Sequence, residues 1–557
     1  MKFVYIRGVR RLVAGLALVQ NEPAVEAPLT PLDFARRTRK LYPDREAVVD
    51  GALRLTYEGF FSRCDRWSGA LQRLGVRRGD RVAYISPNTH MHLESFYAVP
   101  QIGAVLVPIN FRLAANDFEY IINHCGAVVV CVHGDQLEAV NTVRAKLTHV
   151  RHFVALEGLE RTSDGWLDYQ NLLTAEAGSF EPTPIDERSL LTINYTSGTT
   201  ARPKGVMITH RNAYINSVGA LIHAPMTCAD RYLWTLPMFH ANGWTFTWIV
   251  TAVGAAHICL RKIDAALIFD VIDRESITML CAAPTVLIAL ANAPVDVRRR
   301  SQVPVRVLTA GAPPAAATIQ RVENELGWHL TQVYGLTETS PFITVCENQP
   351  AHEHMSSEDR FRIKARQGVE LITSGELRVI DPNGNPDGST VGNDVPWDGR
   401  TLGEIVVRGN VVMEGYYNDP EATAAAFAGG WFHSGDAAVV HPDGYVEIRD
   451  RFKDVIISGG ENISSVEVEG VLLQHPAVME AAVVGAPDAQ WGEVPHAFVV
   501  LKSGAAVTEQ SLREFVRSRL AHFKAPRDFT FVPEIPKTAT GKTQKYMLRQ
   551  GRSAIPS

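Results

Sequence analysis

The chain has 557 residues, 46% of them hydrophobic and 21% charged, with a formal net charge of -5. This profile belongs to a globular protein with ample apolar material, and length alone suggests about three or four compact units. The mild acidic balance excludes the basic face that non-specific nucleic-acid binding needs, so no nucleic-acid partner is expected.

Seven cysteines, Cys64, Cys125, Cys131, Cys228, Cys259, Cys281 and Cys346, make an odd count without a Cys-x-x-Cys pair. They signal neither a zinc site nor a redox pair. They suit a reducing compartment, where cysteines act as small buried apolar residues, and a cytoplasmic location is expected.

Residues 1–30 are an N-terminal extension. Arg7, Arg10 and Arg11 precede the apolar run 12–19, in the manner of a short export signal. The reading adopted is a frayed extension before a fold that starts near Pro31. Nothing approaches the uninterrupted apolar length that spans a bilayer. Over 31–150, strand patterns at 47–49, 80–85, 104–107 and 128–132 are spaced by helical ones such as 60–74, which implies a covered, mostly parallel sheet. The rhythm continues at 232–235, 277–280 and 305–308. From Glu376 short strands and turns follow, giving a β-rich subdomain over about 370–450. A boundary falls near 451–454. Beyond it, strands 455–457, 480–484 and 496–501 and helices 465–473 and 509–521 form a small α+β unit that ends in a polar tail. The expected class is α/β, with a large N-terminal domain over 31–452 and a small C-terminal domain over 453–557.

Residues 195–206, Tyr-Thr-Ser-Gly-Thr-Thr-Ala-Arg-Pro-Lys-Gly-Val, follow a strand end at 190–193. Thr196, Ser197, Gly198, Thr199 and Thr200 can wrap a phosphate closely, because glycine lets the backbone approach while hydroxyls and N–H groups donate to anionic oxygens. Lys204 adds a positive charge. The order differs from G-x-x-x-x-G-K-[ST], since the lysine precedes the last glycine. In isolation such a run is an ordinary turn.

The run resembles the signature loop of the adenylate-forming superfamily, which includes acyl-CoA synthetases, peptide-synthetase adenylation domains and beetle luciferases. Ala201 stands where that family has glycine, which costs some backbone freedom at the loop tip. The resemblance runs from about Pro31 to Arg549. It implies a large N-terminal domain and a small C-terminal lid that rotates on a hinge.

Carboxylate activation by ATP requires the triphosphate to be held, the acid placed in line with the α-phosphorus, and cations aimed at the transition-state oxygens. In the run 332–339, Tyr334 beside Gly335 can stack on adenine, Thr337 can donate to the α-phosphate, and Glu338 offers a carboxylate for Mg²⁺. These residues match the family's Y-G-x-T-E element. Asp436, in Trp-Phe-His-Ser-Gly-Asp, can accept from both ribose hydroxyls. Arg451 resembles the family's ribose-contacting arginine. Gly311, Ala312 and Pro313 resemble the segment that covers the other adenine face. Lys542, in Lys-Thr-Ala-Thr-Gly-Lys, matches the catalytic lysine, whose ammonium can bridge the acyl carboxylate and the α-phosphate.

Lys453 matches the hinge. The resemblance implies that rotation there removes Lys542 and brings Ser458, Gly459 and Gly460 to line a channel for a pantetheine thiol. His240 resembles the group bordering the acyl carboxylate, Gly335 lies beside the acid, and Trp244 resembles a gating indole of some fatty acyl-CoA synthetases. Trp234, Phe239, Trp244, Phe246 and Phe342 suggest an apolar tail or ring on the acid.

The function expected is an ATP-, Mg²⁺- and coenzyme A-dependent acid:CoA ligase acting on an apolar fatty or aryl acid. The alternative keeps the adenylation and passes the acyl group to an amine, a carrier-protein thiol or another small nucleophile. A luciferase-like oxygenase shares the scaffold, and a non-catalytic nucleotide binder would lack Lys542, Glu338 or Lys204, all of which are present. The acid's length and the assembly, with a homodimer as one form, stay open at this point.

Overall fold

The computed structural model describes residues 25–158, 165–174, 180–196, 202–298, 304–382, 391–459, 461–488, 490–537 and 543–551. Ser197, Gly198, Thr199, Thr200, Gly460 and Lys542 lie outside these residues.

Two large sheets carry the N-terminal part. The nine-stranded sheet runs in the order Val369–Glu370, Phe342–Val345, His329–Gly335, Arg306–Thr309, Met279–Ala282, Arg231–Leu233, Ala256–Ile258, Glu46–Asp50, Leu53–Thr56. It is parallel from His329–Gly335 through Glu46–Asp50. The eight-stranded sheet runs Gly415–Tyr416, Lys204–Thr209, Leu190–Thr196, Val105–Ile109, Arg81–Ile85, Ala127–Val132, His152–Ala155, Trp166–Asp168. It is parallel from Leu190–Thr196 onward. Near-continuous apolar strands such as Val105–Ile109, buried at every position, are what a sheet covered on both faces requires.

Helix His90–Ala98 has all nine residues buried. Thr89 caps it by accepting from the His92 N–H. Its flanks tie the two sheets together: Asn88 Nδ2 donates to the Trp234 and Leu236 carbonyls at 2.8 and 2.9 Å, and the Tyr97 hydroxyl to the Thr247 carbonyl at 2.6 Å. Helix Tyr57–Arg73, capped by Thr56, adds Phe60, Phe61 and Trp67 to the same core.

Strands Glu376–Ile380, Gly403–Arg408, Phe432–Val440 and Val446–Arg451 form an antiparallel sheet, as the change of texture from Glu376 predicts. The smaller C-terminal domain is built on a fourth sheet, with strands Glu461–Ile463, Ile456–Ser458, Gly492–Leu501 and Val478–Asp488, and Asp528–Phe531 pairing parallel to Gly492–Leu501.

Two expectations are revised. The strand read as ending at residue 193 continues to Thr196, which pairs with Lys204 on an antiparallel neighbour. The chain after residue 521 is no simple polar tail: Asp528–Phe531 is a strand and Lys545–Gly551 a helix, and Phe529, Ile535 and Leu548 are buried in hydrophobic clusters of the C-terminal domain. Among the described residues no helix is long and apolar enough to cross a membrane. The seven cysteines are free thiols, six of them buried.

Candidate active site

Strands Arg306–Thr309 and His329–Gly335 are parallel neighbours, with Thr309 opposite Gln332. The segment Gly311, Ala312, Pro313 and the run from Tyr334 therefore leave the sheet at one carboxyl edge, the usual place for a ligand in an open α/β sheet. Gly311 has φ of 94° and Ala312 is exposed.

Tyr334, Asp436 and Arg451 come from three separate segments and meet. The Tyr334 hydroxyl donates to Asp436 Oδ2 at 2.6 Å, and Arg451 Nε lies 2.7 Å from Asp436 Oδ1. Asp436 and Arg451 face each other across adjacent antiparallel strands. Arg451 also donates to the Ser434 carbonyl at 3.1 Å. The Asp436 charge raises the Arg451 pKa, while burial and then Asp436 hold the Tyr334 phenol neutral, far above its ordinary range. One carboxylate with two fixed donors keeps its remaining lone pairs aimed at a single place. The turn before Asp436 is braced from below: Glu404 accepts from the Gly435 N–H at 3.0 Å and pairs with His433 Nδ1 at 2.8 Å.

A second group of candidate residues is assembled around Tyr416, which the sequence alone does not single out. Strand Gly415–Tyr416 pairs with Lys204–Thr209, placing Tyr416 opposite Val206. Its hydroxyl donates to Glu338 Oε1 at 3.0 Å, and Lys204 Nζ lies 4.8 Å from its ring centroid. The Glu338 carbonyl accepts from the Met413 N–H at 2.8 Å, and Thr337 beside it is buried. Burial, followed by the Glu338 charge, raises the Tyr416 pKa well above its ordinary range, so the group stays a donor. Among the described residues no cluster of three His, Cys, Asp or Glu could hold a metal. A single carboxylate such as Glu338 would suit Mg²⁺, which takes few protein ligands and completes its shell with phosphate oxygens and water.

Gly335 pairs with Phe342, and a Cβ at Gly335 would stand 1.8 Å from the Pro341 carbonyl oxygen, so only glycine fits this close approach. Trp244 is 3% exposed and meets Phe342 edge-on, with ring centroids 5.7 Å apart at 69°. Asn216 donates to the Phe342 carbonyl at 2.7 Å and fixes that ring's backbone. Phe342, Leu308, Val333 and Ala220 line a small apolar cleft. His240 is half-buried at the start of the turn that carries Trp244, and its N–H donates to the Pro237 carbonyl at 3.1 Å. Of the other aromatics, Trp234 and Phe246 belong to the interior: Phe246 stacks on Tyr232 at 4.8 Å and the Trp234 indole donates to His257. Phe239 packs against Phe111 at 6.0 Å.

In the C-terminal domain, Ser458 pairs with both Glu461 and Gly492, and the Gly459 N–H donates to the Trp491 carbonyl at 2.8 Å. Gly459 is exposed at φ of 60°, and a Cβ there would come within 2.7 Å of the Trp491 ring. Phe452–Asp454, which contains Lys453, is a single 3-10 turn. On one side of it Asp450 accepts from the Ser465 N–H at 2.8 Å and from the Ser465 hydroxyl. On the other, Arg549 pairs with Asp454 at 2.7 Å.

Comparison with known proteins places this geometry. The sequence pattern of the AMP-binding enzyme family matches residues 35–417, and that of the AMP-binding enzyme C-terminal domain matches 467–542. The chain is 44% identical over 540 residues to a 4-hydroxybutyrate–CoA ligase of Metallosphaera sedula, covering 94% of this chain and 95% of that one. It is 41% identical over 546 residues to a 2-methylpropanoate–CoA ligase of Humulus lupulus, covering 95% and 96%. Among solved structures it is similar to an anthranilate CoA ligase in complex with anthranoyl-AMP, with a TM-score of 0.83 at 25% identity over 95% of this chain and 99% of that one.

Proposed function

The chain belongs to the AMP-binding enzyme family and is an AMP-forming acid:CoA ligase, and from that premise we propose that its acid is a short, apolar monocarboxylic acid. The observation that carries this reading is Trp244 packed edge-on against Phe342, both nearly fully buried. The two relatives described above are named for four-carbon acids.

In the first half-reaction an acid oxygen attacks the α-phosphorus of ATP, the bond to the bridging oxygen breaks, and pyrophosphate leaves. Tyr334 and the 311–313 segment flank adenine, while Asp436 and Arg451 hold the ribose. Thr337 donates to the α-phosphate, and the 196–200 run with Lys204 holds the outer phosphates. Glu338 would hold Mg²⁺, which neutralises phosphate charge when bound. His240 and Gly335 border the acid's carboxylate, and Lys542 stabilises the charge that builds between carboxylate and phosphate. In the second half the domain over 453–557 turns on Lys453 against the domain over 31–452. Ser458, Gly459 and Gly460 then line the path along which the CoA thiol reaches the acyl carbon and AMP leaves. We place the enzyme in the cytoplasm, in keeping with its free cysteines, and a homodimer is the assembly to test.

The test is pyrophosphate release with and without CoA over acetate, butanoate, 2-methylpropanoate, octanoate and benzoate, with product mass spectrometry. Expected are AMP, an acyl-CoA and a kcat/KM that peaks at the four-carbon acids. ADP, or a peak at octanoate or benzoate, overturns the reading.

A further inference from the structure

The turn that carries Trp244 is wound the wrong way. Ala241, Asn242, Gly243, Trp244 and Thr245 are consecutive, with φ of 36°, 50°, 59°, 53° and 65°. L-residues resist this region at each step because Cβ crowds the following carbonyl, and four of the five have a Cβ. Such a run persists only where its surroundings over-determine it. A β-carbon on Gly243 would lie 2.5 Å from the Trp234 ring, so the turn is also pressed against the core.

What holds it is a closed ring of three buried side chains. The Thr192 hydroxyl donates to Asn194 Oδ1 at 2.8 Å, Asn194 Nδ2 to Asn242 Oδ1 at 3.2 Å, and Asn242 Nδ2 to Thr192 Oγ1 at 2.8 Å. Thr192, Asn194 and Asn242 are 0%, 2% and 1% exposed. Asn194 Nδ2 also donates to the Phe239 carbonyl at 3.1 Å, and the Thr247 hydroxyl to the Asn242 carbonyl at 2.9 Å. Asn194 thus grips the chain just before the turn and at Asn242, and the Thr247 hydroxyl ties Asn242 to the helix that follows. Polar groups buried this deeply cost desolvation unless satisfied, and an apolar core would pack here without them. Their arrangement serves one consequence: Asn is the non-glycine residue best suited to left-handed φ, and the residue two positions beyond Asn242 is Trp244.

Resting on the short-acid reading above, we propose that Thr192, Asn194 and Asn242 are positioning residues that fix the depth of the acyl pocket by holding Trp244 against Phe342. Thr192 and Asn194 stand on strand Leu190–Thr196, which ends at the first residue of the phosphate run. One rigid strand therefore sets the nucleotide loop at its end and the wall of the acid pocket at its side. Chain-length selection is built into the strand, with the indole as its instrument.

The experiment compares Asn194→Ala and Asn242→Gly with the parent, alone and in a Trp244→Ala background, reading kcat/KM for octanoate and butanoate, KM for ATP, and the melting temperature. Glycine accepts left-handed φ freely, so Asn242→Gly removes the ring while leaving the backbone at ease, and it carries the test if Asn194→Ala does not fold. The octanoate-to-butanoate ratio should rise about ten-fold in either variant, the scale of a methylene-sized pocket change. The KM for ATP should hold, and Trp244→Ala should absorb the effect so that the second substitution adds nothing. Parallel loss on both acids with an unchanged ratio overturns the proposal, as does an equal further shift in the Trp244→Ala background. A parent that makes no acyl-CoA defeats the proposed function, and the ratio is then read on pyrophosphate release.

Discussion

Tyr416 links Glu338 to Lys204: its hydroxyl donates to Glu338 Oε1 at 3.0 Å while the Lys204 ammonium stands 4.8 Å from its ring centroid. One oxygen of the carboxylate is thereby oriented and the loop lysine is held at an aromatic face. The pairing arises from register, since Tyr416 and Lys204 sit on neighbouring antiparallel strands.

Tyr416→Phe removes the donor and keeps the ring. A hydrogen bond to a charged group contributes about 1.5–3 kcal/mol, so the Mg²⁺ concentration for half-maximal pyrophosphate release should rise about ten-fold or more. Tyr416→Leu should in addition raise the KM for ATP, because the cation–π contact to Lys204 goes too. Calorimetric titration of ATP with and without Mg²⁺ separates the two. An unchanged Mg²⁺ requirement in Tyr416→Phe removes Glu338 from the metal role or Tyr416 from its support.

The Glu404–His433 pair gives a pH dependence. Its hydrogen bond and charge outweigh burial and raise the His433 pKa above its ordinary 6.5. A raised folded value means that the folded state holds the proton more tightly. The stabilisation is complete below pH 6.5 and is lost as pH rises through the folded value. His433→Gln keeps a neutral donor and should lower the melting temperature most at acidic pH, with the gap to the parent closing above neutrality. A gap that widens with pH contradicts the sign.

Much of the candidate site is legible in contiguous runs, because a phosphate, a ribose or a metal would each demand particular residue types at fixed short spacing. Tyr334, Asp436 and Arg451, drawn from three such runs, prove to be in direct contact. Tyr416 was not legible, since its meaning lies in the strand opposite it. Asn194 and Asn242 escaped for the same reason: an Asn-Gly pair hints at positive φ, but nothing local says that Ala241, Trp244 and Thr245 follow it there. The end of the chain was misread because Leu548 is the buried face of a helix whose other residues are mostly polar.

Lys545, on that helix, pairs with Glu469 at 2.9 Å and lies 4.0 Å from Asp450. Burial raises the Glu469 pKa, and burial opposes the Lys545 charge, which the two carboxylates more than restore. Lys545→Met strands a buried carboxylate and should cost about 3–5 kcal/mol of C-terminal domain stability, while Lys545→Met with Glu469→Leu should recover most of it. Denaturant unfolding of the three proteins decides, and a double variant no better than the single one shows that the pair is not the source.

The two half-reactions require different placements of the C-terminal domain, so residues that act in only one placement should divide them. Lys542→Ala removes the cation expected between carboxylate and α-phosphate. Loss of one preorganised charge donor lowers the rate on the order of a hundred-fold or more, so adenylation should fall by that factor. Thioester formation from supplied acyl-adenylate should proceed nearly as in the parent. Lys453→Pro should do the reverse, because proline fixes φ within the 3-10 turn Phe452–Asp454 and blocks the rotation. The adenylate then forms and CoA transfer fails. Separate assays of both halves on both variants make the pattern a two-by-two result, and only the crossed outcome supports a rotating domain. Equal loss of both halves in Lys542→Ala assigns the lysine to general binding or to the fold, and a Lys453→Pro enzyme competent in both halves removes the hinge.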